Sequence, residues 1–376
     1  MKKRAFLYMC VVLGIIIIGL NLVAFYTPFC DAYRNTVYGF IADNLGTLTG
    51  YFFPFAVGEV LMFVFAGIII LFVILSILFI FLRNKIGYKK LFFFYSKFTI
   101  FLCLLTLLVY TLNWSIPFRG SVLTVNGAED RKYKLEEVIN VRNYLVSKIN
   151  ETATMVERDE DGKVVYNDLQ SSEAITESMH ELASQYPLLE GYYPPMKKAV
   201  ISDILEMMSI GGYTYPYTME VTYNKYCTSL YYPFLFAHES SHHQGYYKES
   251  EANYLAFLGC INSRKMVDVY SGYLEIYYYF EEEVMTRLIS GGNEDLASSL
   301  PGLSSQVIND ISDAITESKE LYEKESHPAE KFSEQINDVS KTGWDVQDDV
   351  LKEDNYDGVV KLVLEYYDVN PFELNE

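Results

Sequence analysis

Phe234-Leu-Phe-Ala-His-Glu-Ser-Ser-His-His-Gln-Gly245 gathers three of the chain's five histidines into six positions, and its reading decides the rest. Within it, His238-Glu239-x-x-His242 is an H-E-x-x-H pattern. Residues four apart on an α-helix share a face about one turn apart. Both imidazoles can therefore reach a single tetrahedral zinc ion. Glu239 can face a water on that ion, accept its proton and later pass the proton to a leaving amine. The apolar run at 234–237 supplies the buried side of such a helix, and Gly245 is a natural stop. The competing reading is a surface helix that happens to carry histidines at i and i+4, which chance rarely produces in a chain this poor in histidine. His243 falls about 100° further round the helix and is expected as an exposed or supporting histidine.

A catalytic zinc needs a third protein ligand and an open position for water. Lys248-Glu-Ser-Glu-Ala-Asn-Tyr-Leu-Ala256 offers two carboxylates. Glu251 opens an apolar helix and is the preferred ligand. Glu249 lies on the loop side. Either also suits a helix start, where the macrodipole favours acids. Asn253 is then placed to orient a ligand histidine from behind.

Working outward, charge divides the 376-residue chain. Before Trp114 there are three acids and nine bases; the remaining 46 acids and 21 bases give the rest a net charge of −25. So acidic a region excludes nucleic acid as a partner. The first part holds three apolar runs, at about 5–26, 60–82 and 91–114. Each is long enough to cross roughly 30 Å of hydrocarbon as a helix. No A-x-A-like cleavage site follows the first, so it reads as an anchor within residues 1–114 rather than a signal peptide. Lys2, Lys3, Arg4, Arg83, Lys85, Lys89 and Lys90 set the orientation by the positive-inside rule. They hold the N-terminus and the second loop in the cytoplasm. The loop at 27–59 and everything after Trp114 are then outside, and a bacterial plasma membrane is the expected location.

Residues 115–376 read as mainly helical, with a small β-sheet. Helices are expected over 135–156, 169–185, 196–208, 250–264 and 266–288. Gly211-Gly212 breaks the pattern, and the Tyr-, Thr- and Val-rich stretch 213–223 reads as a strand or hairpin. The cysteines form no framework; a Cys227–Cys260 bridge and small buried thiols both fit.

His238-Glu239-x-x-His242 followed by Glu251 resembles the gluzincin arrangement of metallopeptidases, whose membrane members include prenyl-protein peptidases and the sensor peptidases of β-lactam resistance. More closely, the chain resembles a bacterial family of membrane zincin-like proteins without assigned function. That likeness runs through Tyr33 to Leu61, Gly211-Gly-Tyr-Thr-Tyr-Pro-Tyr-Thr-Met-Glu220, the motif with Glu249-Ser-Glu-Ala-Asn253, and Leu351-Lys352 with Gly358-Val-Val-Lys-Leu362. The resemblance implies a zincin-like α+β domain, zinc on His238, His242 and Glu251, and Glu239 as base. It also implies a strand at 213–221 on which an extended substrate adds by β-pairing. Gluzincins often add a His or Tyr that stabilises the oxyanion; His327, His180, Tyr215 and Tyr217 are the candidates, and Glu220 is a substrate-side carboxylate or a strand-end acid. The chain departs from the uncharacterised family at Ser240, Ser241 and His243, which make the motif helix more polar. The expected function is a membrane-anchored metallopeptidase acting on a peptide or protein. The alternative is a non-catalytic membrane receptor or assembly factor with a zincin-derived domain.

Overall fold

A computed structural model describes residues 3–325 and 355–372, with positions 327, 331, 333 and 336 between them. Leu351-Lys352, part of the C-terminal likeness, lies outside the described residues. The chain is predominantly helical with one three-stranded sheet. It divides into two compact units, residues 1–121 with 215–220, and residues 122–214 with 221–376. The sequence boundary at Trp114 thus falls inside the first unit.

The first unit contains α1 (Lys3–Val23), α2 (Thr27–Tyr33), α3 (Gly39–Phe52), α4 (Val57–Leu82) and α5 (Ile86–Tyr110). Among the described residues, three stretches are long and apolar enough to cross a membrane: Arg4–Val23, Val57–Leu82 and Ile86–Phe118. The third starts earlier and ends later than its apolar run, because a π-helical turn at Thr111–Ser115 carries α5 onward. Ile18, Leu22, Ile80, Phe81 and Phe94 all point outward from these helices. A helix apolar on every side has no sided core to face, which suits a hydrocarbon surrounding. The expected loop at 27–59 is instead largely helical, α2 and α3 being joined by a second π turn at Arg34–Tyr38. The helix α4 starts under an acid: the Glu220 carboxylate accepts from the backbone N–H of Val57 at 2.9 Å and of Gly58 at 2.6 Å. Those first-turn amides lack intrahelical partners, and the dipole favours an anion there. Gly58 is required, since a Cβ would collide with the Tyr215 ring.

The second unit contains α6 (Leu135–Ala153), α7 (Asp168–Leu182), β1 (Lys197–Lys198), α8 (Ser202–Met207), β2 (Gly212–Tyr215), β3 (Glu220–Tyr223), α9 (Tyr232–His243), α10 (Glu249–Ile261), α11 (Met266–Ser290), α12 (Ser305–Glu323) and α13 (Asn355–Val369). Two of these strands reach the residues assigned to the first unit. The core centres on α10, which packs against α7, α9, α11 and α13. Every residue from Ser250 to Cys260 is buried, as expected of a helix enclosed on all sides. The sheet order is β1-β3-β2, with β1 parallel to β3, so β2 is an edge. The stretch expected as a strand or hairpin is a hairpin, Met219 N–H closing the turn on the Tyr215 carbonyl at 2.8 Å. Only 202–207 of the helix expected at 196–208 forms. Pro194-Pro195 bring the chain in extended, and Lys197 and Lys198 pair with Thr222 and Tyr223 instead. All five cysteines are free, which removes the Cys227–Cys260 bridge.

Candidate metal centre

All twelve residues of α9 are buried, including His238, Glu239, Ser240, Ser241, His242 and His243. Burying so many polar groups costs about 1–3 kcal/mol for each one left unsatisfied. Their partners therefore define what the helix is for. The end of the helix is itself built for the site. Gly245 takes φ +102°, a conformation that glycine adopts without strain. Tyr246 N–H then reaches the Ser241 carbonyl at 3.0 Å and Gly245 N–H the His242 carbonyl at 3.0 Å, the paired bonds of a Schellman turn. This turn aims the Tyr246 carbonyl at His242 Nδ1, 2.8 Å away.

A carbonyl can only accept, so His242 carries a hydrogen on Nδ1 and turns Nε2 toward Glu249, the nitrogen left to bind a metal once it gives up any proton. His238 is fixed likewise. Its Nδ1 lies 2.8 Å from Asn253 Oδ1, while Asn253 Nδ2 donates to the Tyr279 hydroxyl at 3.0 Å. The amide orientation makes Oδ1 the acceptor, so His238 also carries a hydrogen on Nδ1 and turns Nε2 toward Glu249. The two rings stand edge to face with centroids 4.6 Å apart, and Tyr247 stacks near His242 with centroids 6.1 Å apart.

The third member is Glu249. Its Oε2 lies 3.2 Å from His238 Nε2 and its Oε1 3.5 Å from His242 Nε2. The three ligand atoms lie within 4.8 Å of one another. Tetrahedral bonds of about 2.0–2.2 Å put ligand atoms about 3.3–3.6 Å apart. Two imidazoles and a carboxylate at this spacing fit a metal ion. Electrostatics agree. Burial alone would lower the His242 proton affinity, but Glu249 and then Glu239 outweigh it and push it up to about 9. Burial would raise Glu249, but His242 and His238 hold it well below the usual carboxylate range. The centre thus calls for positive charge between imidazole and carboxylate.

Glu251, expected as the third ligand, is placed elsewhere. Its carboxylate accepts from Leu123 N–H at 2.7 Å and is 1 % exposed. Residues two apart on a helix point about 200° apart, so α10 cannot turn both acids toward α9. Glu249 and Asn253 are four apart and share the face that meets the histidines.

Glu239 is buried beside this cluster. Thr214 Oγ1 lies 2.7 Å from the Glu239 carbonyl and 3.1 Å from its Oε2. Burial pushes its carboxyl upward, against His238 and His242, which makes it a better proton acceptor than an exposed glutamate. Gly212 lets β2 come this close. A Cβ there would meet the Thr222 carbonyl at 2.5 Å and Glu239 Oε1 at 3.3 Å. Sequence reading missed Thr214, Tyr279 and the Tyr246 carbonyl, and only the last had a signal, in Gly245.

The remaining candidates have other partners. His243 is 0 % exposed, against the exposed position considered for it, and is not among the converging ligand atoms. His327 Nε2 lies 2.6 Å from the Tyr322 carbonyl, and its ring stacks on Tyr322. His180 Nε2 lies 3.1 Å from the Gly191 carbonyl. Tyr215 and Tyr217 pair with centroids 5.3 Å apart in the first unit, where Glu220 caps α4.

A mainly helical chain whose described residues include three helices fit to cross a membrane, and a cluster of two buried histidines and a half-buried glutamate on adjoining helices, is the class of protein that fold and site define. The family model described as "Protein of unknown function (DUF3810)" matches residues 33–363, and the chain belongs to that family. Neither the curated proteins nor the solved structures hold a match to the chain.

Proposed function

We propose that this is a membrane-anchored zinc metallopeptidase of gluzincin type, with His238, His242 and Glu249 as ligands and Glu239 as general base. The observation that carries the proposal is the convergence of two histidine Nε2 atoms on one carboxylate at 3.2 and 3.5 Å. When bound, zinc supplies the Lewis acidity that makes water nucleophilic near neutral pH. Asn253 and the Tyr246 carbonyl hold the imidazoles in the ligating tautomer. Thr214 steadies Glu239, which takes the proton of the attacking water and hands it to the leaving amine. The edge strand β2, whose Gly212 lies against Glu239, offers main-chain groups to an extended peptide. The basic residues flanking the apolar runs support an extracytoplasmic site on a bacterial plasma membrane, with the N-terminus in the cytoplasm.

The test uses full-length protein in detergent with a mixed peptide library. The wild type cleaves, and Glu239→Gln keeps its metal but loses cleavage by about 10²-fold or more. Undiminished cleavage by Glu239→Gln sinks the mechanism.

A further inference from the structure

One face of α11 runs alongside the motif helix. Ser271 Oγ donates to the Leu230 carbonyl and lies 3.4 Å from Phe234 N–H, at the start of α9. Two turns later, Tyr279 is hydrogen-bonded to Asn253, the partner of His238. Glu275 stands midway, four residues from each, and positions four apart share a helix face. Its carboxyl is therefore directed to the same side, between the start of α9 and the metal centre. The surroundings agree: burial first, and then the charge of Glu275, push the Tyr231 hydroxyl well upward, and Glu239 acts on the same hydroxyl. Tyr231 in turn borders the strand, since a Cβ on Gly211 would lie 3.1 Å from its hydroxyl oxygen. Tyr231 thus borders Gly211 and lies within electrostatic reach of both Glu275 and Glu239.

Glu275 is odd in these surroundings. Among the described residues, no hydrogen-bond donor or cation engages its carboxyl, and burial alone pushes it up to about 8. Yet solvent still reaches it, for its residue is only partly buried. A recessed, unpartnered carboxyl is costly unless something completes it. The groups acting on its neighbours Cys227 and Tyr231, and on Glu239 and Glu249, are carboxylates, histidines, a threonine, a tyrosine and a cysteine, with no lysine or arginine among them. A ligand must bring its own positive charge.

We propose that Glu275 is the specificity carboxylate of this site and receives a protonated amine of the substrate, either a lysine-like side chain or a free N-terminus. The inference rests on the metallopeptidase reading above. A bound ammonium returns the carboxyl to its ionised form, and the pair is shielded from water, where a charged hydrogen bond counts most.

The test titrates the zinc-loaded full-length protein with three amino-acid hydroxamates. Nα-acetyl-norleucine hydroxamate is neutral, Nα-acetyl-lysine hydroxamate adds a side-chain ammonium, and norleucine hydroxamate adds an α-ammonium. One of the two cationic probes should bind about tenfold or more tighter than the neutral one, and which of them does identifies the source of the amine. Glu275→Gln should erase that preference while keeping its zinc and its affinity for the neutral probe. Equal binding of all three by the wild type, binding of none by zinc-loaded protein, or a preference that survives Glu275→Gln overturns the proposal and leaves the metal site standing. Failure of the wild type to hold zinc removes the underlying reading instead.

Discussion

Glu249 Oε2 lies 3.2 Å from His238 Nε2. Glu251, two residues further along α10, spends its carboxylate on Leu123 N–H at 2.7 Å. The two acids therefore separate in a metal assay. Glu249→Ala should strip metal from dialysed protein. Glu251→Gln, which keeps an acceptor for Leu123, should retain it. Glu251→Ala should retain metal too but lose about 1–3 kcal/mol of stability by orphaning a buried N–H. Metal loss from Glu251→Gln with retention by Glu249→Ala would reverse the assignment.

Asn253 meets His238 Nδ1 at 2.8 Å and is not among the converging ligand atoms, so in this account it positions a ligand rather than binding the metal. Removing its acceptor in Asn253→Ala frees the ring, and partners of this kind are worth about 10–100-fold in metal affinity. Asn253→Asp restores an acceptor at the same distance. Chelator competition on the three proteins should show a loss in Asn253→Ala that Asn253→Asp recovers.

Most of the site was legible, and the part that was not has a simple geometry. His238 and His242 sit four apart, and so do Glu249 and Asn253; two such pairs face one another. Choosing Glu251 as ligand while assigning Asn253 to orient a histidine asked one helix to turn residues two apart to the same side. The spacing alone sets those two residues on different sides of α10. Thr214 was not legible, because its role depends on how β2 lies against α9, and that depends on pairing distant in sequence. The apolar runs announced their helices, but not the π turns at Arg34–Tyr38 and Thr111–Ser115.

Gly212 is the close-approach position. In Gly212→Ala the new methyl would meet the Thr222 carbonyl at 2.5 Å and crowd Glu239. Forcing β2 outward should cost about 1–3 kcal/mol, read as a lower melting temperature, and should reduce peptide cleavage along with it. A variant as stable and active as the wild type would show that β2 has room to spare.

Asp268 gives a pH signature away from the metal. It is 0 % exposed and hydrogen-bonded by Ser171 at 2.5 Å and Ser263 at 2.6 Å. Burial nevertheless pushes its carboxyl from 3.8 to about 6. The folded state thus holds the proton more tightly than the unfolded chain. The ionised carboxylate costs stability that is fully felt above pH 6 and relieved as pH falls toward 4. Asp268→Asn should therefore exceed the wild type in stability by about 1–3 kcal/mol near pH 7, with the gap closing below pH 4. A gap that is constant with pH, or widest in acid, would contradict this.

The central claim is that His238, His242 and Glu249 hold a metal ion, and metal content tests it most directly. Full-length protein purified in detergent without added metal should carry about one zinc per chain by mass spectrometry, the stoichiometry of a single three-ligand catalytic site. His238→Ala and His242→Ala, folded by the same criteria, should carry none. A folded wild type without zinc, even after zinc is supplied and the excess removed, or variants that keep the metal, would contradict the account.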